Sequence, residues 1–336
     1  MSNLEAAPRE VACSSPAAPD ADELPLGRVL EPREVPLGGP RAMRVRRTLP
    51  QRAQSLIGAW CFVDHYGPDD VSASGGMRVP GHPHTGLQTV SWLFSGEVEH
   101  RDTTGAHALV RPGEVNLMTA GSGIAHSEYS TPETAALHGA QLWVALPDAH
   151  RFTAPGFEHY APPLVEEDGA RALVFLGSLL GHTSPVPTFS PLMGAEITLR
   201  AGQRLRLDVD PAFEHGVLVD TGALTVAGTA AASGQLVYRP PGTRTLSLHA
   251  VDRGATRVLL LGGRPLNERI VMWWNFVGRT HEEIAGFREQ WQTERADGGA
   301  PSDRPSRSSR FGPFPQQWET TLSAPDLPNA RLRPRE

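Results

Sequence analysis

Two short segments place metal-binding side chain types two residues apart, His82-Pro83-His84 and His126-Ser127-Glu128. On an extended chain an i, i+2 pair sends both side chains to the same face. If the two segments lie near each other in a folded unit, three imidazoles and one carboxylate converge on one point. A structural zinc site is closed by four ligands, usually with thiolates, whereas imidazole and carboxylate donors on a six-coordinate ion leave positions open. Fe(II) suits this donor set best, and Mn, Co, Ni, Cu or Zn are chemically compatible with it. Neutral imidazoles with one carboxylate leave net positive charge on a divalent ion, which draws an anionic oxygen. The expected small molecule is therefore an aromatic enolate or phenolate.

The elements that must hold these pairs read as short strands. Leu56 to Asp64 is an apolar run of strand character, closed by the turn cluster Gly67-Pro68-Asp69-Asp70. Leu87 to His100 alternates and is predicted to form two strands hinged at Ser95-Gly96. Ala108 to Val110 and Val115 to Met118 flank a turn at Arg111-Pro112-Gly113-Glu114, and Gln141 to Leu146 ends at Pro147. Phe152 to Pro163 reads as a loop. A second series of strand-like runs extends from Ala172 to Leu261, so the chain holds two all-β units of similar size. Thr280 with Glu283 three positions on forms a capping box, and Ile284, Phe287 and Trp291 follow at helical spacing.

A chain of 336 residues is long enough for two cores, and 34 Gly with 31 Pro fit a turn-rich β fold. The expected units are a disordered tail over 1–23, a metal-binding domain over 24–150, a metal-free domain over 165–292 and a flexible tail over 293–336. A net charge of -6, with every basic side chain an Arg, leaves no basic footprint for nucleic acid. The opening residues lack an apolar h-region and no window suits a membrane span. Two cysteines, Cys13 and Cys61, cannot build a disulfide framework, and a cytoplasmic setting is expected. The remaining histidines read as surface or hydrogen-bonded core positions, with His65 the leading exception. Glu97, Glu99 and His100 read as a solvated strand face, and Trp92, Phe94, Trp143, Trp273, Trp274 and Phe276 mainly as core.

The strings HPHTGLQTV, SGEVEHRD and RPGEVNLMTAGSGIAHSE between Gly81 and Glu128 closely resemble the pirin family. The resemblance runs from about Leu24 to Trp291, through WCFVDHYGP and LLLGGRPLNERIVMWWNFVGRTHEEI, and Arg310-Phe311-Gly312 resembles the family's tail. It implies an all-β bicupin, two tandem cupin β-barrels with a short C-terminal helix. It also implies a metal in the first barrel only, on His82, His84, His126 and Glu128. Some pirin-like proteins cleave quercetin with O2, which implies a flavonol substrate and Glu128 as catalytic base. Others are thought to be iron-dependent modulators of a transcription or metabolic partner protein, the alternative. Thr85 and Leu87 stand where pirins usually carry Arg and Phe, which points to an altered pocket.

Overall fold

In a computed structural model, the structure describes residues 11–13, 27–37, 43–298 and 309–332. Alternating burial builds the strands: in Leu205 and Leu207 of Arg204–Asp208, or Leu246, Leu248 and Ala250 of Thr245–Ala250, every second side chain enters the core. The strands form two barrels with the same plan. Each consists of a seven-stranded and a four-stranded antiparallel sheet. This is the bicupin architecture, all-β with one long helix at the end.

The two barrels share a core. Trp60, Trp92 and Leu142 of the first pack in one apolar cluster with Phe175, Leu218 and Leu261 of the second. Trp92 stacks on Phe175 at 4.6 Å between ring centroids and donates its indole N–H to Glu196 at 2.8 Å. The amide of Gly58 donates to the Glu214 carboxylate at 2.6 Å, and the Trp60 indole donates to the Gly262 carbonyl at 3.2 Å. Apolar burial and satisfied buried polar groups thus hold the barrels as one body.

Several expected boundaries are corrected. Arg28–Leu30, placed with the first domain, pairs with Leu236–Arg239 in the second barrel's large sheet, while Arg33–Leu37 joins the first barrel. The expected loop Phe152 to Pro163 is not all loop, since Gly156–Tyr160 pairs with Val115–Thr119 as an edge strand of the first barrel. The strand that begins at Trp60 does not stop at the Gly67 cluster but runs to Asp70, paired with Ala136–Ala145. Of the expected disordered segment 1–23, Val11–Cys13 is a strand paired with Ile270–Trp273, and the rest lies outside the described residues.

The expected flexible tail 293–336 is also corrected where it is described. The helix His281–Ala296 reaches past residue 292. Thr280 caps it, its hydroxyl accepting from the Glu283 amide at 3.2 Å, while the Glu283 carboxylate accepts from the amide of Arg279, one residue earlier than in a standard capping box. Ile284, Phe287 and Trp291 pack with Phe311, Ala324 and Leu332, so residues 309–332 fold back as a covering layer. That layer closes the edge strand Arg78–His84: Leu322 donates to the Gly81 carbonyl at 2.8 Å, and Trp318 lies over Gly81. A Cβ at Gly81 would come within 2.5 Å of the Trp318 ring, so the close approach requires glycine. Residues 299–308 and 333–336 lie outside the described residues.

Candidate metal centre

The two i, i+2 pairs are brought together by a single antiparallel ladder. Arg78–His84 pairs with Ile124–Ser130, with His82 opposite His126 and His84 opposite Ile124. A register irregularity between His126 and Glu128 sets Glu128 opposite Val79. The ligand nitrogens of His82, His84 and His126 lie within 4.8 Å of one another, and all three rings are fully buried. Glu128 is not in that group. It belongs to an adjoining one with His100 and His126, so His126 is common to both.

Each of the three imidazoles is oriented through its other nitrogen. The Nδ1 of His82 meets the Pro80 carbonyl at 2.8 Å and that of His84 meets the Asn275 carbonyl at 3.2 Å. A carbonyl only accepts, so both rings carry hydrogen on Nδ1 and keep a lone pair on Nε2. His126 Nδ1 lies 3.3 Å from His100 Nδ1, and His100 Nε2 lies 3.1 Å from Asp102. The Nε2 atoms of all three site histidines are buried without a hydrogen-bond partner. Three orphaned lone pairs facing one another are costly in a metal-free protein and suited to a divalent ion, so the residues present fit a metal.

Burial holds these imidazoles neutral. It lowers His82 to about 3 and takes His84 and His126 well below the ordinary histidine value. Ligands that are already deprotonated do not have to release protons to bind metal near neutrality. The same shifts fix a sign for stability. Below about pH 6.5 the unfolded chain binds protons that the folded metal-free chain does not. Stability is therefore complete above that pH and is lost progressively as pH falls, for His82 down to about 3 at about 1 kcal/mol per pH unit, with His84 and His126 acting in the same direction. Urea unfolding of chelator-treated protein should give a lower midpoint at pH 5.5 than at pH 7.5; equal midpoints would contradict neutral burial.

Around the three histidines, Trp143 meets His84 edge-on at 5.1 Å and stacks on Phe62 at 4.1 Å. Its indole N–H has no acceptor. Ser91 places its hydroxyl 2.9 Å from Gln141 Oε1 and 3.5 Å from a Glu128 oxygen. The pocket thus combines lone pairs, a carboxylate and an aromatic wall.

His100 corrects the expectation of a solvated face. It is buried, lies directly opposite Glu128 in the ladder between Ile124–Ser130 and Val98–Asp102, and links Asp102 to His126. Its signal was present, since His100 and Asp102 have the same i, i+2 spacing on a strand as the two pairs that were recognised. Glu97 and Glu99 are partly exposed and pair with Arg111 and with Arg101 and His107. Thr85 and Leu87 are buried at the contact with the hairpin of Ile270–Trp273 and Phe276–Gly278: Thr85 bridges to Phe276, and Leu87 packs with Val277 and Met272.

His65 forms a separate buried group with His138 and Asp220 where the barrels meet. Both Nε2 atoms reach the same Asp220 oxygen, at 2.7 and 2.6 Å, and Arg257 binds the other oxygen at 2.7 Å. Arg46, which can only donate, lies 3.2 Å from His65 Nδ1, so hydrogen belongs on Nε2. That tautomer makes a hydrogen-bonded knot, with no Nε2 lone pair for a metal.

Barrel plan and buried histidine triad together define a bicupin with a candidate metal centre in its first barrel. The pirin profile matches residues 42–144 and the pirin C-terminal cupin domain profile matches residues 194–297. A Pseudomonas aeruginosa protein, provisionally named a quercetin 2,3-dioxygenase, is 42% identical over 94% of this chain and 95% of its own. A pirin-like protein of Caulobacter vibrioides is 34% identical over 80% of this chain and 93% of its own. The crystal structure of quercetin 2,3-dioxygenase from Acinetobacter baumannii superposes with a TM-score of 0.82 at 37% identity, covering 93% of this chain and 99% of that one. The chain belongs to the pirin family.

Proposed function

We propose that this protein is a metal-dependent dioxygenase of the quercetin 2,3-dioxygenase type, cleaving flavonols with O2 and releasing carbon monoxide, with iron as its metal. The observation that carries the reading is the set of three buried, partnerless Nε2 atoms beside a buried carboxylate. His82, His84 and His126 would hold the ion, with Glu128 as the fourth ligand. When bound, the ion supplies a positive centre for an enolate oxygen and a site for oxygen chemistry. Glu128 accepts the proton of the flavonol 3-hydroxyl, and the Ser91 hydroxyl beside it steadies the carboxylate. Trp143 offers an aromatic wall to a flat substrate.

The names of the Pseudomonas and Acinetobacter relatives, each covering more than nine-tenths of this chain, support an enzyme over a redox-sensing regulator that binds a partner protein. Among the described residues no helix is long and apolar enough to cross a membrane; the setting proposed for the enzyme is cytoplasmic. Oxygen uptake and carbon monoxide release should follow addition of quercetin to metal-loaded protein. Glu128→Gln is expected to lower turnover by about 100-fold, the lower range for loss of a general base, with a smaller loss of metal content. Absence of oxygen uptake with any flavonol, for each of the six candidate metals, would remove the proposal.

A further inference from the structure

The strand Glu214–Thr221 divides its side chains between two environments. Leu218 faces the core shared by the barrels and Asp220 the knot with His65, whereas Val217 and Val219 enter the second barrel's own core. His215 has the parity of Val217 and Val219 and lies near the end of that interior. It is fully buried, and neither ring nitrogen has a hydrogen-bond partner. Its ring borders a cavity of about 320 Å³, walled by Leu179, Leu192, Met193 and Phe213. This volume falls at the lower end of the range for small-molecule sites.

We propose that this cavity is a second binding site, separate from the metal centre, for a small uncharged hydroxylated aromatic molecule. A neutral imidazole offers one N–H and one lone pair, and a phenolic hydroxyl is complementary to both because it donates and accepts. The walls supply apolar surface, a phenyl ring and a thioether, all of which favour an aromatic occupant. Charge selects against anions. Asp208 and Asp210 stand exposed on the cavity lining, which holds no cationic side chain among the described residues, and Arg239, opposite His215 in the ladder, is buried. Gly262 packs against both Met193 and His215: a Cβ there would lie 3.1 Å from the Met193 methyl and 3.2 Å from His215 Cδ2, so a larger residue would press on two of the lining side chains.

The test is 19F NMR titration of the metal-loaded full chain with 4-fluorophenol, fluorobenzene and 4-fluorobenzoate. Saturable 4-fluorophenol binding is expected that persists in His126→Ala. It should weaken about tenfold in His215→Leu, the scale of one lost buried hydrogen bond, while fluorobenzene binding stays within about twofold. Ser178→Trp, an exposed position on the cavity lining, should block both ligands and decides the matter if His215→Leu fails to fold. The wild-type protein should bind 4-fluorobenzoate at least about tenfold more weakly than the phenol. The proposal is overturned if no saturable phenol binding occurs, if binding disappears with His126→Ala, if Ser178→Trp leaves it unchanged, or if the benzoate binds better. Because the site does not use the metal centre, its failure would leave the dioxygenase reading untouched, and the reverse also holds.

Discussion

Protein carrying His126→Ala is expected to lose stoichiometric metal after reconstitution with Fe(II) or any other divalent ion of the series. His126 is the hub of the centre. Its ring lies 4.3 Å from that of His82 and 5.0 Å from that of His84, and it is the residue shared with the Glu128 group. Removing it deletes one of the three imidazole donors, breaks the contact with His100 and separates the Glu128 group from the His82/His84 pair. Loss of an outer hydrogen-bond partner of a metal ligand alone costs about 10–100-fold in affinity, so loss of the ligand itself should exceed that. Elemental analysis and metal titration would measure it, with the half-exposed His107→Ala as the control that keeps its metal. Near-stoichiometric metal in the His126 variant would refute the assignment of the centre.

Trp92→Ala should produce the largest loss of stability of any single truncation between the barrels, about 3–5 kcal/mol. The side chain is fully buried, so its removal opens a cavity within a core to which both barrels contribute. It also ends the stack on Phe175 and leaves the Glu196 carboxylate without its indole donor. Burial already raises Glu196 above the ordinary carboxylate range, and the lost hydrogen bond removes an opposing influence. Denaturant unfolding followed by tryptophan fluorescence and far-ultraviolet circular dichroism should show the midpoint falling in both signals. A shift equivalent to less than about 1 kcal/mol would mean that the barrels do not depend on this contact.

What could be read from the chain was whatever depends on local spacing. The pairs His82/His84 and His126/Glu128 declare a common face because period two is a property of a single strand. The capping of the last helix at Thr280 is equally local. His100 shares that spacing with Asp102, but its place at the centre comes from cross-strand register: only the ladder puts it opposite Glu128 and within reach of His126. Register is set by pairing partners distant in sequence. The assignment of Arg28–Leu30 to the second barrel and the return of residues 309–332 over Gly81 are non-local in the same way. Pro and Arg content made the tail look loose, while Phe311, Ala324 and Leu332 give it enough buried apolar surface to dock.

The carbonyl that fixes the tautomer of His84 belongs to Asn275, 191 positions further along the chain. During synthesis the ribosome delivers the three imidazoles early and the fastener of the second of them late, after the entire second barrel has emerged. An ion captured by a nascent chain would meet a site whose second imidazole can still swing. Tight retention is therefore expected only once the chain has emerged beyond Asn275, and fragments ending before it should exchange metal quickly even where they fold.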